Sequence, residues 1–265
     1  MTVRTVIPMF SIYHFIWLFI DAAIIVASTI YLRRHKVSLK DLLTVCCIVC
    51  VLSELTKVFN VMKMVPSSDG THLYPYMELN YLPLHLCSIQ IIFIFYARFG
   101  NPNSGFYKKL LPFMYPSGII GAIAALAMPS IFSTSIRPEQ AFTSPMAYQF
   151  FLFHAMLIVL GLYIYSSGEI EITPKHYGSS MMILAVLAFL SIYVNSLLGS
   201  PTYVDGKLVS VDFVTNMFFT YNPPIPIALT KIWHWYLYLL VIGALAAILV
   251  AIAFIPVFRR ARKNK

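Results

Sequence analysis

Charged residues are scarce in this chain. They make up 11% of it, against about 25% in an average soluble domain. With 265 residues of which 59% are hydrophobic, a soluble core cannot absorb the apolar surface. A bilayer can, since each span needs about 20 mostly apolar residues to cross about 30 Å of hydrocarbon. Alternation of apolar and polar residues is also missing. The apolar runs are continuous, which excludes a barrel. Helices remain, because backbone groups in lipid must be satisfied internally.

Other absences narrow the function. There are ten acidic residues against nineteen basic ones, for a formal charge of +9. That excess suggests a nucleic-acid partner, but its placement follows membrane topology, so membrane lipids are the expected partners and nucleic acid is not. Cysteine is rare, and Cys46, Cys47 and Cys50 share one apolar run. That argues against a disulfide framework and for small apolar packing. No cleavable signal is expected: the first apolar run is too long and lacks a small-residue cleavage site. It reads as a retained first span. Zinc spacing, a phosphate loop and a serine-hydrolase elbow are all missing, so no metal and no cofactor is expected. The last apolar run has no lysine in its core, which counts against a retinal Schiff base. No internal repeat is evident, and nothing in the sequence sets an oligomeric state.

What is present predicts an all-α membrane protein: one domain, residues 1–265, forming a seven-transmembrane-helix bundle. The spans are expected at about 10–32, 39–60, 79–98, 109–131, 146–165, 177–199 and 232–256, with successive helices as antiparallel neighbours. Lysine and arginine orient it. Thirteen lie on one set of connections (Arg33, Arg34, Lys36, Lys40, Arg98, Lys108, Lys109, Lys175 and five between Arg259 and Lys265). The other set holds five: Arg4, Lys63, Arg137, Lys207 and Lys231. The N-terminus is therefore expected outside and the C-terminus in the cytoplasm of a multi-pass cell-membrane protein, with a bacterial plasma membrane as the setting. The longest outer connection, 200–231, carries a hairpin signal at Val204-Asp205-Gly206-Lys207. It then turns apolar through Phe213, Met217, Phe218 and Phe219 before the breaker Asn222-Pro223-Pro224. Such a loop should lie on the bundle, as a candidate lid.

Ionisable residues inside spans are costly and tend to mark function. Here they are His14, Asp21, Glu54, Lys57, His85, His154 and His234. At about 1.5 Å per residue, His14, Lys57, His234 and Asn195 lie roughly 5–6 Å below the outer ends of their spans, and Glu54 and His85 about 9 Å. Cys87 and His154 lie about 12 Å down, and only Asp21 is near the midplane. This distribution predicts an outward-facing polar pocket above an apolar plug. The plain alternative is that interfacial histidines snorkel and that Glu54 and Lys57, one turn apart, neutralise each other.

The third span opens Asn80-Tyr81-Leu82-Pro83-Leu84-His85-Leu86-Cys87-Ser88-Ile89-Gln90. Taken as a helix, it sets His85 and Cys87 200° apart at 100° per residue. It is then polar on two sides: one stripe holds Tyr81, His85 and Ser88, and the other holds Asn80 and Cys87 with Gln90 beside it. A helix polar on two sides belongs in the middle of the bundle. His154, at the depth of Cys87 but on the fifth span, makes a candidate thiol–imidazole pair with it.

The stretch Tyr81-Leu82-Pro83-Leu84-His85-Leu86-Cys87 resembles the signature of the YwaF-like family of bacterial integral membrane proteins. Looser matches are Tyr148–His154, the Asn216–Phe219 segment with its following prolines, and Trp233-His234-Trp235-Tyr236. The chain departs at the last span, where Lys231-Ile232-Trp233-His234 replaces a Gly-Pro-Trp-Pro-like start. That family is distantly similar to eukaryotic multispan lipid acyltransferases that use a membrane-embedded cysteine and histidine. The resemblance implies His154 as that histidine. The cysteine position is Leu84 here, and Cys87 lies one turn along the same face.

The expected function is lipid or acyl handling in the outward pocket, in its enzymatic form a Cys/His acyl transfer or thioesterase-like reaction. Cys87 would be the nucleophile, His154 the base, and His85 would orient the substrate. Glu54, Lys57, Asn80, Gln90, Asn195, His14 and His234 are the candidate substrate-binding groups. The alternative is a non-enzymatic transporter or small-molecule binder using the same groups.

Overall fold

The structure, a computed structural model, describes residues 10–129, 138–213, 215–224 and 227–263. Arg4, Arg137, Pro226, Lys265 and the end of the fourth expected span lie outside them. Among the described residues seven α-helices appear: α1 (Ile12–Arg34), α2 (Leu39–Val61), α3 (Gln90–Phe99), α4 (Tyr107–Ala127), α5 (Pro145–Ser166), α6 (Lys175–Leu197) and α7 (Ile232–Lys263). Six are long and apolar enough to cross a membrane; α3, at ten residues, is not.

Helix ends follow local chemistry. The hydroxyls of Ser11 and Ser38 accept from the His14 and Asp41 N–H groups and open α1 and α2, which satisfies donors a helix start leaves free. At the far end of α1, Lys36 takes a left-handed φ of 47° and Val37 N–H reaches the Leu32 carbonyl. This closing turn satisfies the last carbonyls and lets α2 start at once. The N–H of Leu39 gains a further acceptor from far along the chain, Glu169 at 2.7 Å.

The third expected span is corrected over its first half. Residues 79–81 form a single 3₁₀ turn, and no regular helix runs until Gln90. Pro83 is the cause. It holds Leu82 extended, at φ −59° and ψ 139°, because the proline ring disfavours helical geometry in the residue before it. The chain then doubles back through a tight turn, Leu84 N–H to Leu82 O at 2.8 Å, and enters α3 through mixed turns ending in Ile89 N–H to His85 O. The two-stripe reading assumed a helix, so it fails here, and so does the central place given to this span.

The centre is α4 with α5. Most of α5 from Phe150 to Ile164 and of α4 from Leu110 to Gly118 is buried. Glycine permits their contact: a Cβ on Gly161 would stand 2.9 Å from the Tyr115 carbonyl oxygen and 2.7 Å from Ile119 Cγ1. Small residues commonly set such close approach between membrane helices. α1 packs on α5 by stacking Trp17 flat on Phe151, centroids 4.7 Å apart. α2 also packs on α5, while α7 is tied to α4 through Tyr115 Oη to Ala253 O at 2.5 Å.

Two β-hairpins stand at one end. Strands β1 (Lys63–Pro66) and β2 (Leu73–Tyr76) pair antiparallel, Lys63 opposite Tyr76. Strands β3 (Ser200–Val204) and β4 (Lys207–Asp212) pair with Val204 opposite Lys207. The second hairpin turns through Asp205 and Gly206 at φ 50° and 73°, the doubly left-handed geometry that Asp-Gly favours. The opposite end carries the basic residues Arg33, Arg34, Lys175 and Arg259–Lys263.

Candidate functional site

A cavity of about 330 Å³ lies between α4, α6, α7 and the irregular segment that precedes α3. His85 and Cys87 are both in its wall. A regular helix would have turned them apart; the Pro83 turn presents them to one space. α4 borders it from Phe113 to Ala124, a rise of about 16 Å. Over that length 330 Å³ gives a mean cross-section of about 20 Å², a slot wide enough for an extended hydrocarbon chain. The lining is otherwise apolar, with the hydroxyls of Ser117 and Ser180 as further polar groups. It reaches down to Ser180, into the half expected to be a plug.

Local packing fixes the segment. The turn lies on α4 at Gly121, where a Cβ would stand 3.8 Å from the Cys87 backbone nitrogen and 3.6 Å from the Leu86 side chain, ordinary contact. Gln90 donates from Nε2 to Ser117 Oγ at 3.0 Å, and Ser117 donates to the Phe113 carbonyl at 2.7 Å.

Phe218 and Phe219 close the cavity at the hairpin end. Both take left-handed φ, 56° and 54°, which bulky residues adopt only under constraint. Asn195 supplies it. Buried on α6, its amide donates to Met217 O at 3.1 Å and Thr220 Oγ1 at 3.0 Å. Its carbonyl accepts from Met217 N–H at 2.8 Å and Thr215 Oγ1 at 3.1 Å. Trp235 Nε1 holds Thr220 O at 2.8 Å and Tyr238 Oη donates to Phe219 O. The apolar loop thus docks on the bundle, with Asn195 making four of the bonds that hold it.

The remaining expected site residues sit elsewhere. Lys57 and Glu54 form an ion pair at 2.7 Å, and the ammonium is within electrostatic reach of the His85 imidazole. His154 is buried in α5, its Nδ1 2.6 Å from the Phe150 carbonyl. A carbonyl only accepts, so Nδ1 carries the proton and Nε2 the lone pair. His154 is not in the cavity wall, and among the described residues no hydrogen bond joins it to Cys87. His14 is buried and bonded to Leu126 O at 2.7 Å. His234 is half-buried, 3.2 Å from Thr230 Oγ1. The Asn80 side chain lies outside the described residues. Among those described, no three His, Cys, Asp or Glu side chains gather as a metal site.

Residues 9–254 match the model of the TMEM164 family. The chain belongs to the TMEM164 family. It is a multispan membrane protein, as that family and its apolar helices require. The match takes in every residue that lines the cavity, both closing phenylalanines included. No curated protein and no solved structure matches the chain.

Proposed function

We propose that this TMEM164-family protein is a membrane-embedded acyltransferase that holds an acyl chain in the slot beside Cys87. The carrying observation is that Cys87 and His85 share the wall of one chain-sized apolar cavity. His85 takes the thiol proton, and the Cys87 sulfur attacks the carbonyl of an ester donor. The carbon–oxygen bond breaks, the imidazolium returns its proton to the leaving alkoxide, and a thioester remains on Cys87. An acceptor hydroxyl then attacks the thioester while His85 takes its proton. The sulfur leaves as thiolate and takes that proton back from the His85 imidazolium. The base assigned to His154 by the YwaF-like resemblance passes to His85 in this reading, because His85 borders the cavity. The Cys/His acyl transfer of the distant relatives agrees with it.

The same reading takes residues 79–99 as a seventh crossing, with the N-terminus outside and the C-terminus in the cytoplasm. Irregular backbone at membrane depth is tolerated where it lines a cavity, and 82–89 borders one. A reporter fused after Lys265 should be cytoplasmic and one inserted beside Gly206 extracytoplasmic. Reporters beside Gly70 and Asn103 flank residues 79–99 and should face opposite sides; both on one side would remove the seventh crossing.

The test of the chemistry is thiol labelling. Cys46, Cys47, Cys50 and Cys87 are all buried, so access alone does not distinguish them. An amphipathic maleimide should modify Cys87 fastest, and His85→Ala should slow that reaction more than His154→Ala does. Incubation with a phospholipid donor should add one acyl mass to Cys87. If Cys87 reacts no faster than Cys50 and takes no acyl group, the slot binds a chain without chemistry.

A further inference from the structure

The helices α1 and α2 follow each other through a four-residue connection, yet they make little contact; each packs instead on α5. The space left between them is a cleft of about 1150 Å³, separate from the slot at Cys87. Along α2 its wall runs from Asp41 to Thr56. The stretch from Leu42 to Leu52 is apolar and rises about 15 Å, half the roughly 30 Å thickness of the hydrocarbon layer. That is the depth of one leaflet. Above it, Gln149 Nε2 donates to Ser53 Oγ at 2.8 Å and ties α2 to α5.

The two ends of the cleft differ in charge. At the hairpin end the wall is neutral, with Ser53, Thr56, Thr143, Tyr148 and Gln149. At the other end Tyr31, Leu32 and Val37 line it, and the connection beside them bears Arg33, Arg34, Lys36 and Lys40, all exposed. Asp41 is the acid in the wall there, and the Ser38 hydroxyl is bonded to it. An amphiphile with an anionic head fits this distribution in one direction only.

We infer that this cleft is a binding site for one anionic phospholipid of the leaflet at the basic end, with acyl chains against α2 and α5 and phosphate at the Arg33–Lys40 turn. The site is independent of the chemistry at Cys87. Its test is native mass spectrometry of the purified full chain with phosphatidylglycerol and phosphatidylcholine of matched chains. One phosphatidylglycerol should be retained over phosphatidylcholine by about tenfold or more, since each surface cation contributes to anionic lipid attraction. Replacing Arg33, Arg34, Lys36 and Lys40 together by Gln changes exposed positions only and should abolish the preference. Ala27→Trp with Val49→Trp fills the cleft and should lose the retained lipid while Cys87 labelling stays as in the wild type. Equal retention of the two lipids, or retention undiminished by the tryptophans, overturns the inference. So does a dimer that the tryptophans dissociate.

Discussion

Asn195→Leu should release the loop that closes the cavity and lower the stability of the protein by about 2–4 kcal/mol, seen as a lower melting temperature in detergent. The asparagine makes four hydrogen bonds to Thr215, Met217 and Thr220. Leucine has nearly the same volume and none of the donors or acceptors. The buried Met217 N–H and Thr215 hydroxyl then lose their acceptor, at about 1–3 kcal/mol for each that water cannot reach, while Thr220 Oγ1 keeps Met217 O and Ser191. The loop also works against its own backbone. Left-handed geometry at Phe218 and Phe219 costs on the order of 1–3 kcal/mol per residue and persists only while the surroundings enforce it. Without the clamp both residues can relax and the end of the slot opens, so a small water-soluble thiol reagent should reach Cys87 faster. Thr202→Ala, on the exposed hairpin, should change neither readout. An unaltered melt with unaltered Cys87 labelling in Asn195→Leu would show that the loop is held by other means.

The second large effect is expected at the Glu54–Lys57 pair. The Lys57 side chain is 9% accessible, and its partner carboxylate is 2.7 Å away. Removing one member of a buried pair strands the other charge, at about 3–5 kcal/mol. Lys57→Met and Glu54→Gln should each lower the melt, and the double change should sit closer to the wild type than either. Glu54 is 31% accessible, so Lys57→Met belongs at the lower end of that range. Strictly additive losses would mean that the two charges do not interact.

Hydropathy alone located six of the helices, because a 20-residue apolar run has one solution in lipid, although α7 runs on to Lys263, past the expected end at 256. The Asp205-Gly206 turn was equally legible, since its conformation is written in the dipeptide. The first hairpin was not foreseen, although Ser67-Ser68-Asp69-Gly70 carries a turn signal; no alternation marked its strands. The third span misled because hydropathy reports depth and not backbone conformation. Pro83 reads as a tolerated first-turn residue in a helix that does not form there. His85 and Cys87 were candidates from their chemistry, but their meeting in one wall depends on that broken backbone. Ser117 and Ser180 gave no signal, because a serine in an apolar helix ordinarily bonds to its own backbone. The sequence resemblance rested on short motifs of the YwaF-like kind, while the match over 9–254 is to the TMEM164 family.

The dependence of α1 on α5 has a consequence for biosynthesis. Trp17 donates to the Ala141 carbonyl, 124 residues downstream, and His14 reaches Leu126, 112 residues away. Neither partner exists when the ribosome delivers the first two helices. These therefore enter the bilayer without their packing surface and with Asp21, whose carboxylate finds no hydrogen bond among the described residues even in the finished bundle. Until α5 is made, α1 is a span carrying an imidazole, an indole N–H and a carboxyl into lipid. Truncation before α5 therefore leaves α1 without the helix it packs on, while α2 keeps α3.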